Sequence, residues 1–242
     1  ALSIIPEDFH VWDYLDNSRT PEAYNKIVKG DADIIFVAQP SGGQKKRAKE
    51  SGVTLLYTPF AREAFVFIVN ADNPVNSLTE QQVRDIFSGA ITNWRTVGGN
   101  DQEILTWQRP EDSGSQTVMQ LQVMKNVRMI SPQETEVASV MEGMIKVVAE
   151  YRNTNNAIGY TFRYYATQMN ADKNIKLLAI NGIAPTAENI RNGKYPYIVD
   201  AFMVTRDNMT SETQKLVEWF LTPQGQSLVE DVGYVPMYKT LH

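Results

Sequence analysis

Residues 33–70 read DIIFVAQPSGGQKKRAKESGVTLLYTPFAREAFVFIVN, and the order of elements in this stretch decides the fold. Asp33–Ala38 is a short β-branched apolar run, the pattern of a buried strand. Residues Gln44–Ser51 are polar and helical, with Gly52 as the stop. Val53–Tyr57 is a second strand and Ala64–Asn70 a third, longer one. The same alternation continues outward. Ile104–Gln108, Ala157–Thr161, Ile175–Ile180 and Ala201–Thr205 read as further strands. Thr79 and Gln82 form a capping box ahead of Val83, Ile86 and Phe87, and Ser211 with Gln214 repeats the signature before Leu216, Val217 and Phe220. Val137–Tyr151 is a longer helix with Met141, Met144, Ile145 and Val148 inward, where the methionines are read as core fillers. Pro223 opens a last helix that Gly233 closes. Strands alternating with helices predict an α/β protein with mainly parallel sheets.

Composition narrows the function classes. At 242 residues the chain reaches the size at which one core begins to split into two lobes. The longest apolar stretch, Ala64–Val69, is strand-sized, so no segment is read as spanning a membrane. A net charge of −5 argues against a nucleic-acid partner, which would call for a concentrated basic face. Zero cysteines exclude thiolate metal sites, thiol catalysis and disulfides. The two histidines, His10 and His242, sit in no context that suits a catalytic triad or a metal site, so neither catalytic residues nor a metal or other cofactor are expected. The Ser41-Gly42-Gly43-Gln44-Lys45-Lys46 run lacks the spacing of a phosphate loop and reads as a turn into a solvated helix.

The sharpest local feature is Arg109-Pro110-Glu111-Asp112-Ser113-Gly114-Ser115-Gln116, where a strand runs through a turn into a helix. Ser113 and Gln116 have capping-box spacing, and Gly114 leaves the first turn bare for a ligand to approach backbone N–H groups. Arg109, four residues upstream, can reach an anion held there with its forked guanidinium. The alternative is an ordinary helix cap with Arg109 paired to Glu111 or Asp112. A second candidate is Thr20, read as the N-cap before Pro21; simple capping is its plainer explanation.

Several phrases together resemble the substrate-binding proteins of phosphate ABC transporters: DADIIFVAQPS, TPFAREAFVFIVNADNPVNSLTEQQVRDIFSGAITNWRTVGGND, QRPEDSGSQT, NAIGYTFRYY and LTPQGQSLVEDVGYVPM. The resemblance runs from about Thr20 to Met237. It implies an α/β, two-lobed periplasmic-binding-protein-like fold of type II, with mixed sheets flanked by helices and a ligand cleft between lobes. It also implies a lobe from residues 1–70 plus 183–242 and a second from 71–182. In such proteins the positions matching Thr20, Arg109, Ser113, Gly114 and Ser115 contact the anion.

The implied function is an extracytoplasmic, non-enzymatic receptor that binds inorganic phosphate for the membrane permease of an ABC transporter. It would work in the periplasm or on the outer face of the membrane, where such receptors can carry a lipid anchor on a removed N-terminus. Two departures qualify this. The chain opens at ALSIIPEDF, beyond the strand whose loop supplies further anion contacts in these proteins, which predicts weaker binding and an exposed sheet edge. Many phosphate-specific members carry Asp where this chain has Ala38; a carboxylate there accepts the proton of hydrogen phosphate and repels sulfate. A sulfate-like oxyanion therefore stays open as the ligand, as does a sensor or adhesion role that keeps the scaffold without transport.

Overall fold

Leu55 begins a strand that does not stop where the turn-like Thr58-Pro59 and the charges Arg62 and Glu63 would end one. In the computed structural model, which describes residues 15–125, 127–132, 141–150, 155–169 and 171–241, the strand continues unbroken to Asn70. In chain order the elements are α1 (Thr20–Lys29), β1 (Ile34–Val37), α2 (Gly42–Glu50), β2 (Leu55–Asn70), β3 (Ser77–Leu78), α3 (Glu80–Ser88), β4 (Leu105–Thr106), α4 (Gly114–Val118), α5 (Met141–Glu150), β5 (Ala157–Phe162), β6 (Ile175–Leu177), β7 (Ala179–Ile180), α6 (Ala187–Arg191), β8 (Ile198–Arg206), α7 (Ser211–Phe220), α8 (Pro223–Asp231) and β9 (Val235–Pro236).

The expectation of mainly parallel sheets is corrected. The pairs β1–β8, β2–β8, β2–β5, β2–β6 and β2–β9 are antiparallel; among the described strands only β4–β5 and β3–β7 run parallel. Strand β8, far downstream, lies between β1 and β2 in the order β1-β8-β2-β5-β4. Alternation along the chain says nothing about which strand returns to which, so the pattern could not reveal this insertion.

The first part of β2, Leu55–Ala64, pairs with β8, with a register shift between Pro59 and Ala61 where proline has no N–H to give. The last part, Phe65–Val69, pairs with β5. Two packing regions follow from this division. Ala23, Tyr24 and Ile27 of α1 pack with Ile35 and Val204, while Phe60, Ala61 and Met203 pack with Val217 and Val229 of α7 and α8. A larger core gathers Phe65–Val69, Val83, Ile86 and Phe87 of α3, Met144, Ile145 and Val148 of α5, and Ile158 and Tyr160 of β5. Its aromatic centre joins Phe65 to Tyr160 at 5.4 Å between centroids and Phe87 to Tyr160 at 5.6 Å. Each such side chain, fully withdrawn from water, contributes roughly 1.5–3 kcal/mol before entropy is counted. The result is a mixed α/β fold whose sheets are flanked by helices.

Helix starts follow the local chemistry with small shifts. Thr79 and Gln82 form the expected capping box of α3. For α7 the cap is Thr210, one residue before the expected Ser211, with its hydroxyl accepting from the Thr213 N–H. In α1 the N-cap position is Arg19, whose N–H donates to the Glu22 carboxylate, and Thr20 is already helical. The Thr20 hydroxyl is therefore not used as the cap. The expected helix Val137–Tyr151 is seen as Met141–Glu150; its remaining positions, and the residues before 15 on which the expected loss of an opening strand falls, lie outside the described residues.

Candidate functional site

Strand β4 pairs with β5, and the pairing carries past Thr106 through the Trp107 N–H, which donates to the Ile158 carbonyl at 2.8 Å. The chain then turns at Arg109-Pro110-Glu111-Asp112 and enters α4. Ser113 caps that helix: its hydroxyl oxygen accepts the Gln116 N–H at 3.2 Å, so its own O–H stays available to a further acceptor. Helix α4 runs straight into π-helical turns at Met119–Met124, and Val118, Met119, Val123 and Met124 anchor the run in the core. The turn is thus held at both ends by packing.

Arg109 is fixed by its main chain. Its N–H donates to the Tyr160 phenol oxygen at 3.0 Å and lies 3.3 Å from the Gln116 side-chain oxygen; the Tyr160 hydroxyl in turn donates to Gln116. The side chain is a different matter. Arg109 is only 7% exposed, and its Nε and Nη1 have no hydrogen-bond partner. Burial pulls its pKa down to about 10, and the charge of Arg19 acts in the same direction. A buried cation without an acceptor is costly, and a bound anion would remove that cost.

The alternative pairing of Arg109 with its acidic neighbours is not what forms. The Glu111 carboxylate faces the Gln120 amide, and the Asp112 carboxylate faces Ser41 and Arg47. Next to the turn, Ser115 is 2% exposed and its hydroxyl likewise has no partner.

Thr20 and Ala38 meet the turn from the other side. A Cβ placed on the buried Gly114 would lie 3.2 Å from the Thr20 hydroxyl oxygen, 3.2 Å from the Ala38 Cβ and 3.9 Å from the Phe162 ring. The Tyr24 hydroxyl donates to the Ala38 carbonyl at 3.1 Å, tying α1 to the end of β1. Thr20, Gly114 and the capped start of α4 therefore share one neighbourhood, with Ser115 and Arg109 buried on the same turn.

Sequence reasoning missed Tyr160 and Phe162. Both lie on the face of β5 turned toward this site, with Thr161 on the opposite face by strand alternation. Their phrase, NAIGYTFRYY, was visible; their roles depend on a strand pairing that was not. Glu63, 4% exposed, was missed as well. Its carboxylate accepts N–H groups from Ala64 at 2.7 Å and Tyr164 at 2.8 Å, and burial raises its pKa to about 7. Among the described residues no group of His, Asp and Glu is arranged to hold a metal ion.

Comparison with known proteins adds a family. A profile described as the PBP superfamily domain matches residues 10–224. The phosphate-binding protein PstS of Bacillus subtilis (strain 168) is 29% identical over 170 residues, which are 70% of this chain and 53% of that protein. The match thus spans about half of the Bacillus relative. The phosphate-binding protein PstS of Borreliella burgdorferi is 26% identical over 216 residues, 88% of this chain and 74% of that protein. A Clostridium perfringens protein, assigned as a phosphate ABC-transporter substrate-binding protein and solved with bound phosphate, shares the fold with a TM-score of 0.71 at 24% identity, over 89% of this chain and 84% of its own.

Proposed function

The chain belongs to the PBP superfamily, and we propose that it is an extracytoplasmic receptor that binds inorganic phosphate and passes it to the membrane permease of an ABC transporter. The observation that carries the reading is the buried Arg109 guanidinium, whose Nε and Nη1 lack partners, together with the unpartnered Ser115 hydroxyl at the start of α4 on the same turn. A tetrahedral oxyanion is the ligand chemistry that would satisfy both. Arg109 supplies the charge, Ser113 and Ser115 donate their hydroxyl hydrogens, Gly114 lets the anion reach the backbone N–H groups, and Thr20 closes from α1. The relatives named phosphate-binding proteins support phosphate as that anion.

In this reading the protein is a binder and not an enzyme. It has two lobes, residues 1–70 with 183–242 and residues 71–182, that meet around the ligand. No helix among the described residues is long and apolar enough to cross a membrane, which fits a receptor that works beside a separate permease.

Ala38 favours a second reading within the same chemistry. Its methyl group, and not a carboxylate, faces Gly114, so a fully ionised oxyanion such as sulfate meets no repulsion from this position. Calorimetric titration with phosphate, sulfate and arsenate tests both. Phosphate and arsenate binding with sulfate at least tenfold weaker supports phosphate; equal or tighter sulfate binding supports the second reading; no binding of any of the three overturns the site. Incubation with a generic phosphate ester, with and without divalent metal, checks the binder assignment, which turnover would contradict.

A further inference from the structure

We propose that Asp112 is a positioning residue for the anion turn, clasping it to the first turns of α2 so that the two sides of the site are held in register. The proposal rests on the oxyanion reading above and deepens it.

Asp112 has φ +64°, in the left-handed region where a side chain is strained, although aspartate tolerates it better than most residues. That conformation aims the residue at α2. The Ser41 hydroxyl donates to the Asp112 Oδ1 at 2.5 Å, the Gln44 amide donates to the Asp112 carbonyl at 3.1 Å, and the Arg47 guanidinium reaches Oδ2 at 3.3 Å. Residues 41, 44 and 47 recur every three positions, so they lie along one side of the helix. Ser41 and Gln44 are also each other's capping partners. The Ser41 oxygen accepts the Gln44 N–H at 3.1 Å, and the Gln44 oxygen accepts the Ser41 N–H at 2.9 Å. The cap of α2 and the anion turn are therefore one hydrogen-bond network, with Gln44 2% exposed.

The network joins elements from different ends of the sheet. Helix α2 follows β1, which among the described strands pairs only with β8, whereas the turn follows β4 beyond β5. Ala38, between β1 and α2, is one of the groups packed against Gly114. Holding α2 onto Asp112 thus keeps Ala38, three residues before Ser41, packed against Gly114, two residues after Asp112. The Arg47 partner is 45% exposed and adds little by itself; the buried Ser41 and Gln44 contacts do most of the holding.

The test uses the full chain and inorganic phosphate. Asp112→Gly keeps the left-handed backbone and the carbonyl acceptor but removes both carboxylate contacts. The expected result is at least a tenfold weaker affinity by calorimetry and a proportionally faster release in stopped flow. Asp112→Asn keeps the Ser41 acceptor and should recover most of that loss. Ser41→Gly, which glycine at an N-cap tolerates, removes the same hydroxyl from the other side and should reproduce the weakening if Asp112→Gly fails to fold. Wild-type affinity and release rate in Asp112→Gly, or in Ser41→Gly, would overturn the clasp. Amide exchange of residues 109–116 without anion separates this from the ligand assignment. If wild type itself binds no phosphate, the phosphate reading fails while the clasp still predicts faster exchange in Asp112→Gly; unchanged exchange rejects the clasp.

Discussion

The place a Cβ would take on Gly114 lies 3.2 Å from the hydroxyl oxygen of Thr20, so the first residue of α4 and the first residue of α1 approach each other as closely as a bare backbone allows. That is tighter than nine in ten Cβ contacts in proteins, and the Ala38 methyl group stands at the same distance. Gly114→Ala forces one of these neighbours to give way by a few tenths of an ångström. The Gly114 backbone is not left-handed, so alanine fits it and restricts the unfolded chain, a gain of about 0.4–1 kcal/mol that offsets the crowding in the unliganded protein. The expected outcome is a melting temperature close to wild type and phosphate affinity reduced tenfold or more, read by calorimetry. Undiminished affinity would mean that the anion does not use this turn.

Arg109→Met should separate binding from stability. Phosphate binding should weaken by about 1.5–3 kcal/mol or more, the range for a hydrogen bond to a charged group. The unliganded protein should melt at the same temperature or higher, because burial of the partnerless guanidinium, which brings its pKa to about 10, is a standing cost of a few kcal/mol. A large loss of unliganded stability would mark Arg109 as a structural residue.

Glu63 sets a pH dependence of definite sign. Its folded-state pKa of about 7 lies above the ordinary value of 4.5, because burial outweighs the N–H groups of Ala64 and Tyr164 and the charge of Arg163. The folded protein therefore holds this proton more tightly than the unfolded chain. Its contribution to stability is fully present below about pH 4.5 and is lost as pH rises to about 7, by roughly 3 kcal/mol in all. Glu63→Gln cannot titrate, and with one oxygen it satisfies one of the two N–H groups. The mutant should be less stable at pH 5 yet show a smaller decline between pH 5 and 8 in denaturant titrations. Parallel pH profiles for the two proteins would refute this role.

Gln226 is fully buried and satisfies four main-chain groups at once. Its amide donates to the carbonyls of Phe60 and Phe220, and its oxygen accepts N–H groups from Met237 and Tyr238, all at 2.8–2.9 Å. Gln226→Ala strips partners from four main-chain groups, the Phe60 carbonyl buried and the other three half-buried, at about 1–3 kcal/mol for each that is left unmade. A loss of at least about 3 kcal/mol by urea unfolding is expected, with the end of the chain exchanging its amides faster. A loss below about 1 kcal/mol would show that the four groups find other partners.

The geometry of the turn at 109–115, proposed to hold the anion, was legible because its information is local. Arg109, Ser113, Gly114 and Ser115 lie within seven consecutive residues, and capping spacing, a bare glycine and a forked cation can be read from such a window. Tyr160 was not legible, since its phenol meets the Arg109 N–H from 51 residues further on. The same limit explains β2. Pro59, Arg62 and Glu63 interrupt the apolar pattern and read as a loop, yet a register shift absorbs the proline and the Glu63 carboxylate finds two N–H donors. Short-range pattern cannot tell a polar loop residue from a polar residue satisfied by a distant partner. Thr20 was chosen as a helix cap, but Arg19 holds that position, with its own N–H donating to Glu22; the relevance of Thr20 lies in where its hydroxyl ends up.

Because Leu55–Asn70 is one strand belonging to both packing regions, neither region owns a complete sheet. Cutting the chain near Ala61 would leave one piece without the partner for β8 and the other without the partner for β5. The two regions must therefore assemble around the same backbone segment, and melting of either withdraws the template on which the other is ordered. Heat should dismantle the molecule in a single step despite its apparent division. For the same reason this strand is a poor crossover point for recombination: a loop or a terminal helix could be exchanged with another protein, but not half of this molecule.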